Sequence, residues 1–188
     1  MKVISAGRMI GAAGVAVLGA GVFAGFMIGR LKHTAVKAHI ALSGDWEKQL
    51  RSEHKAVKTM LLALVKTGPE DDAKRSSILE GIADALTRHA VEEENVVYPA
   101  LRRMGADLEA SELYDEHAEM KALIGELKAM DTFDPDWILK AQALKKLIYA
   151  HVREEENTLF PMLRAIETEQ EAKDLTQEMA HEGLRVTG

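Results

Sequence analysis

The stretch HAVEEENVVYPALR, residues 89–102, recurs 62 residues later as HVREEENTLFPMLR, residues 151–164. The segments before these stretches match as well, because the Glu-His pair at 53–54 returns 63 residues later at 116–117. A period this long with only two copies is not typical of a solenoid. The sequence therefore predicts a duplicated helical hairpin whose two copies face each other as a closed four-helix bundle.

The composition beyond residue 45 favours helices over strands, because Ala, Leu, Glu and Lys dominate it. Gly68-Pro69, Gly105 and Asp134-Pro135 mark the breaks between helices. The predicted helices cover about 45–66, 70–104, 108–130 and 134 to beyond 166, with a helical, frayed tail up to 181. The predicted fold class is an all-α, antiparallel up-down-up-down bundle over 45–166, followed by an acidic C-terminal tail, 167–188.

Six polar residues fall on the inner, apolar stripes of these helices. They are His54, His89, Glu93, His117, His151 and Glu155. The midpoints between successive histidines, at 71.5, 103 and 134, lie at the three predicted turns, so all four imidazoles share one level of an antiparallel bundle. Each glutamate follows a histidine by four residues and therefore reaches the same layer.

A metal site satisfies all six groups together. A single histidine on an apolar stripe is more often a hydrogen-bonded core residue, but two glutamates without counter-charge are costly in a core. The chain has no cysteine, which excludes disulfides, thiolate sites and iron–sulfur ligation. Imidazole and carboxylate suit iron, manganese or zinc. Twofold symmetry can make a dinuclear centre with two bridging carboxylates and open positions for a small diatomic or a peroxide.

The ordered pattern H…HxxxE…H…HxxxE resembles the hemerythrin-like HHE cation-binding family over roughly residues 45–166. Tyr98-Pro99 and Phe160-Pro161, which follow the two HxxxE motifs, fit the resemblance. It implies a non-haem centre of two iron ions with an oxo or hydroxo bridge. It also implies roles in binding or sensing oxygen, in handling nitric oxide or peroxide, or in managing iron.

One departure concerns the fifth histidine that oxygen-carrying hemerythrins place four residues after the equivalent of His117. Lys121 stands there, which argues against reversible oxygen carriage and favours a more open metal. Tyr114 is an alternative phenolate ligand, although a tyrosine that merely packs near the site is the simpler interpretation. Glu94 and Glu156 remain alternatives to the chosen glutamates.

Three functions of different classes are open at this point. The first is a membrane-anchored di-iron protein that binds or senses oxygen or nitric oxide. The second is a di-iron enzyme that detoxifies peroxide or nitric oxide, or releases iron for repair. The third is a structural bundle whose zinc only stabilises the fold. Binding of an exogenous ligand separates the third function from the first two, because a saturated zinc site binds neither azide nor nitric oxide. Peroxide consumption no faster than by free iron would count against the second.

The sequence pattern of the first 32 residues predicts a membrane anchor. Residues 9–28 form an uncharged run bounded by Arg8 and Arg30, long enough to cross a bilayer as a helix. A secretory signal cleaved after Ala24 is the alternative. The cations at both ends weakly favour a single-pass protein of a bacterial inner membrane with a cytoplasmic bundle. Small residues at spacing four, Gly21, Gly25 and Gly29, allow self-association through this helix.

Charge is divided unevenly along the chain. The formal net charge is −6, and residues 1–32 carry +4, so the remainder carries −10. A short stalk, 33–44, connects the predicted anchor to the bundle. An acidic body argues against binding to nucleic acid, whose phosphates need a basic surface.

Overall fold

The computed structural model describes residues 45–186, and the predicted membrane segment and stalk lie outside them. The helices are α1 (Trp46–Leu64), α2 (Asp72–Glu92), α3 (Tyr98–Arg103), α4 (Asp107–Ala129), α5 (Pro135–Glu154), α6 (Phe160–Ile166) and α7 (Glu169–Val186). Between Asp45 and Val186, none of the helices is long and apolar enough to span a bilayer. The predicted all-helical class is confirmed for this part of the chain.

The two hairpins pack as the duplication predicts. Helix α1 lies against α2, and α4 lies against α5, while α1 also contacts α5 and α2 contacts α4. A short 3₁₀ turn, Pro69–Asp71, connects α1 to α2. Asp45 caps α1 by accepting a hydrogen bond from the backbone N–H of Lys48 (3.0 Å), and Asp134 caps α5 through Asp136 (2.8 Å).

Two apolar clusters lie on either side of the predicted histidine layer. One is built around Trp46, Tyr98 and Phe160, and the other around Trp137 and Leu144. All five side chains are fully buried. The polar layer therefore sits between two dry cores, where electrostatic interactions are stronger than in water.

Both HxxxE motifs run into π-helical turns, Glu93–Val97 and Glu155–Leu159. The backbone N–H of Tyr98 donates to the carbonyl of Glu93, and Phe160 donates in the same way to Glu155. A proline follows each turn and lacks the N–H that a regular helix would use. Each of these two helices therefore contains one wide turn directly at its glutamate.

The acidic tail forms α7, which packs across α1 and α2 at one end of the bundle. Leu175, Met179 and Ala180 are buried there. The backbone N–H of Trp46 donates to the hydroxyl of Thr176 (3.0 Å) and so fixes α7 to the start of α1. The segment is therefore part of the packed body, in addition to being helical as predicted.

Candidate metal centre

The structure brings the six predicted residues together in one buried layer. The four histidines are 2–4% exposed and both glutamates are 0% exposed. The Nε2 atoms of His54 and His89 lie 3.0 Å apart, and those of His117 and His151 lie 3.2 Å apart. One pair comes from each hairpin, as the duplication predicts.

The two glutamates contact both histidine pairs. Glu93 Oε2 lies 3.2 Å from Nε2 of His89 and 3.4 Å from Nε2 of His117. Glu155 Oε2 lies 3.3 Å from Nε2 of His151 and 3.3 Å from Nε2 of His54. Each carboxylate therefore occupies a position from which it can bridge two metal ions, one beside each histidine pair.

A second set of four carboxylates surrounds the histidines on the other side of their rings. Each Nδ1 contacts one of them, in the pairs His54–Glu156 (2.8 Å), His89–Glu53 (2.9 Å), His117–Glu94 (2.9 Å) and His151–Glu116 (2.7 Å). The pairs repeat across the duplication. Because a carboxylate accepts, we assign a proton to every Nδ1, which leaves every Nε2 as a lone-pair donor facing inward.

This arrangement fits a metal ion because the inward-facing atoms are mostly acceptors. Two imidazole nitrogens face each other in each pair, and neither has a proton to share once Nδ1 is protonated. Oε1 of Glu93 and Oε2 of Glu155 are buried and accept no hydrogen bond from the described residues. Cations satisfy these groups, and oxygen and nitrogen donors without sulfur suit iron, manganese or zinc.

The layer also attracts positive charge. Burial by itself lowers the pKa of His54, but hydrogen bonds and charges from Glu155, Glu156 and Glu93 outweigh it and raise the pKa to about 9. Burial by itself raises the pKa of Glu155, but the nearby His151 and His54 hold it well below its usual range. In the absence of metal, a second proton on His54 thus provides positive charge that a cation would otherwise provide.

Tyr98 also reaches the layer, which the sequence did not predict. Its hydroxyl lies 2.9 Å from Oε1 of Glu155, 3.3 Å from Oε2 of Glu93 and 3.1 Å from Nε2 of His117. Burial and then the charges of the two glutamates raise its pKa well above the usual value, so it is an O–H donor in this setting. It is the one hydroxyl among the described residues that contacts the six-residue layer.

The alternative ligands suggested by the sequence lie elsewhere. Tyr114 donates from its hydroxyl to the backbone carbonyl of Glu94 (2.6 Å), and its ring packs edge-on against Tyr98. Glu94 and Glu156 contact the Nδ1 atoms, on the far side of the rings from Nε2. Lys121 points outward, where its ammonium pairs with Glu94 (2.6 Å). These groups surround the layer without entering it.

Residues 47–163, more than half of the chain, match the model of the hemerythrin HHE cation binding domain. The chain belongs to this family. Domains of the hemerythrin HHE family bind metal ions, typically iron, and the buried His/Glu cluster fits such a site. The matched range includes all six predicted ligands.

Two relatives place the hemerythrin HHE bundle in context. A DNA nickase of Nostoc sp. (strain PCC 7120) is 34% identical over 115 residues, which is 61% of this chain and 32% of the nickase. This chain thus spans about a third of that relative's length. The crystal structure of a hemerythrin HHE cation binding domain-containing protein from Mycobacterium kansasii shares the fold, with a TM-score of 0.65 and 20% identity over 76% of this chain and 86% of that chain.

Proposed function

We propose that this protein holds two iron ions on the six-residue layer and binds or senses a small diatomic molecule, oxygen or nitric oxide. The observation that carries the proposal is an enclosed void of about 10 Å³ that all four histidines line. A void of this size accepts about one water-sized molecule. The size of this void favours a small ligand over a larger substrate.

The donor count supports open coordination positions. The four Nε2 atoms and the carboxylates of Glu93 and Glu155 would hold the two irons, which leaves fewer protein donors than iron commonly takes. Lys121 adds no donor because it is turned toward Glu94. The remaining positions suit a solvent-derived bridge and an exchangeable ligand, and iron supplies the redox chemistry that zinc lacks.

A second function is turnover of peroxide or nitric oxide, and the position of Tyr98 favours it. Its hydroxyl is held 2.9 Å from Glu155 and 3.1 Å from His117 in a buried layer. The hydroxyl lies on the glutamate side of the layer and does not line the void, so it would hydrogen-bond or protonate an oxygen that binds on that side. Peroxide consumption by the iron-loaded protein that is no faster than by free iron would exclude this second function, and iron release to an acceptor would instead indicate iron handling.

We also propose that residues 9–28 anchor the chain in a bacterial inner membrane, with the bundle in the cytoplasm and with self-association through the Gly/Ala-rich helix. The uncharged run and its flanking cations are the support for this. The test is membrane fractionation of the full chain beside a variant with arginine at positions 16 and 20. Extraction of the full chain by carbonate would contradict the proposal, and sedimentation in detergent tests the self-association.

The nicking activity in the name of the Nostoc relative is not carried over to this protein. The match covers a third of that relative, and the residues from 33 onward carry a net charge of −10. We therefore expect no affinity for nucleic acid, since binding depends on neutralising phosphates with lysine and arginine. Retention on a DNA column at moderate salt would contradict this expectation.

The function itself is tested with the full chain in mild detergent, reduced, iron-loaded and free of oxygen. We expect addition of nitric oxide or oxygen to change the visible spectrum with saturation. The matched control is His54→Ala, which removes one predicted ligand. An unchanged spectrum with both gases in the wild-type protein would overturn the proposal and leave a structural metal as the remaining account.

A further inference from the structure

A surface groove of about 390 Å³ runs between α2 and α4 and ends at His117. Its walls are apolar and include small residues, Ala83 and Ala90 on α2 and Gly125 on α4. These short side chains leave space between the two helices. The groove is thus a depression that begins at solvent and reaches one of the predicted metal ligands.

The groove is separated from the void beside the histidines by one layer of side chains. Leu86, Met120 and His117 line both the groove and the void. Leu86 is only partly buried, and methionine has three rotatable bonds that let it change conformation at low cost. Rotation of these two side chains would connect the groove to the void without movement of a helix.

The internal duplication provides a comparison within the same molecule, because α1 and α5 form the equivalent face. The equivalents of Ala83, Thr87, Ala90 and Gly125 are, in the same order, Lys145, Tyr149, Val152 and Leu62, and each is larger. The ammonium groups of Lys58 and Lys145 lie 5.8 and 5.5 Å from the centre of the Tyr149 ring and cover this face. The equivalent of Leu86, Ile148, is 1% exposed. One face of the bundle is therefore closed where the other is open.

The charges at the open face are already paired. Lys121 contacts Glu94 and Lys128 contacts Glu80, both at 2.6 Å. Both lysines line the groove, but each ammonium already has a glutamate as its partner. The groove between these pairs is apolar, which suits a small uncharged molecule rather than a charged one.

We propose that the groove between α2 and α4 is the route by which a small uncharged molecule such as oxygen or nitric oxide reaches the metal site, and that Leu86 and Met120 form its gate. This inference rests on the function proposed above. It assigns to Leu86 and Met120 control over the rate of ligand binding and over the size of the ligand. Neither residue is among the six proposed metal ligands.

The test introduces residues of the closed face at the equivalent positions of the open face. The double variant T87Y/G125L introduces the residues that stand at the equivalent positions 149 and 62. Both positions are exposed, and a Cβ at Gly125 meets no atom within 4 Å, so the fold has room for them. We expect the association rate of nitric oxide with the reduced, iron-loaded full chain to fall about tenfold, as for an added barrier of about 1.4 kcal/mol. Met120→Ala should raise the same rate.

The matched control makes the closed face smaller through Tyr149→Thr and Leu62→Ala. We expect the association rate of nitric oxide in this variant to stay within about twofold of wild type. Equal rates in T87Y/G125L and wild type, or a larger effect from the control pair, would overturn the assigned route. Equilibrium saturation by nitric oxide is recorded in parallel. It tests the proposed function separately, since a blocked route slows binding without changing the end point.

A second readout does not depend on iron. Xenon, an uncharged probe of similar size, is added to the zinc-loaded full chain, and methyl NMR shifts are followed. We expect shifts at Ala83, Ala90 and Met120, and none at Leu62 on the opposite face. Loss of these shifts in T87Y/G125L supports the route. Shifts confined to the opposite face, or absent from the groove in wild type, contradict it even where nitric oxide binds.

Discussion

Tyr98 in the first hairpin donates a 2.9 Å hydrogen bond to Oε1 of Glu155 in the second. The residue that duplication relates to Tyr98 is Phe160, whose ring stacks on His54 at a centroid distance of 6.0 Å and has no hydroxyl to donate. The two halves of the site therefore differ. The position beside His117 and His151 has an O–H donor, and the position beside His54 and His89 has an aromatic wall.

Replacement of Tyr98 by Phe should weaken ligand binding while metal content stays the same. The variant removes the hydrogen bond that holds Glu155 beside the metal site, a loss of about 1 kcal/mol or a five- to tenfold change in affinity. Azide titration of the visible spectrum measures it. Tyr114→Phe is the control, because its hydroxyl bonds to a backbone carbonyl outside the layer. Equal azide affinity in Tyr98→Phe and wild type would show that the hydroxyl has no part in ligand binding.

The carboxylates behind the histidines should determine metal affinity. Glu156→Gln removes the charge that holds His54 Nδ1 at 2.8 Å, and we expect a 10–100-fold weaker affinity for metal. Glu94→Gln should act similarly through His117 because the two positions are equivalent. Glu154→Gln, two residues away and exposed, is the control. Competition with a chelating dye gives the affinities, and equal values for Glu154→Gln and Glu156→Gln would contradict this role.

Removal of metal should destabilise the bundle. Without cations, Glu93 and Glu155 are fully buried, and His54 beside them takes up a proton instead. We expect the free energy of unfolding to fall by several kcal/mol, as for a tightly bound ligand that is lost. Urea denaturation before and after chelation measures it. In the double variant Glu93→Gln and Glu155→Gln the effect of chelation should nearly vanish, and an unchanged effect there would place the metal elsewhere.

Glu92 should make the stability of the fold fall as pH rises. It is fully buried against α7, its carboxylate accepts from Gln49 (2.6 Å), and burial followed by the charge of Glu53 raises its pKa to about 8. A raised pKa in the folded state means that stability is complete below the unfolded value near 4.5 and is lost as pH rises through about 8.

The isosteric variant Glu92→Gln should remove this dependence. We expect it to gain about 2 kcal/mol more at pH 9 than at pH 6 relative to wild type. Urea denaturation at both pH values measures the difference. The duplicated position Glu154 is exposed, so Glu154→Gln should give the same change at both pH values. A Glu92→Gln curve parallel to wild type would contradict the buried, proton-bearing state of Glu92.

The sequence was sufficient to predict the bundle and the meeting of the six residues. The repeat of HxxxE at positions 89 and 151 predicted both the symmetry and the shared level, because distances from the turns follow from helical rise alone. The same symmetry located Glu94 and Glu156 near the site. The symmetry did not show whether Glu94 and Glu156 contact the histidine Nδ1 atoms or the metal, because that depends on the direction of each side chain.

Tyr98 could not be predicted from regular helical periodicity. Five residues after Glu93, a regular helix with 3.6 residues per turn places a side chain on a different face. The π turn at Glu93–Val97 uses one more residue, so Tyr98 returns toward the face of Glu93. The prolines at 99 and 161 were the sequence features that could have indicated these π turns. The packing of α7 against the bundle was also not predicted. In the sequence, the buried Glu92 could not be distinguished from its neighbours Glu93 and Glu94.

The most direct test of a dinuclear iron site is metal analysis of the full chain, purified in mild detergent, together with its visible spectrum before and after azide. The account predicts about two irons per chain and a charge-transfer band that azide shifts, because open positions on iron accept the anion. One zinc per chain, or no metal, with a featureless spectrum that azide leaves unchanged would contradict it. In that case the six-residue layer would be structural.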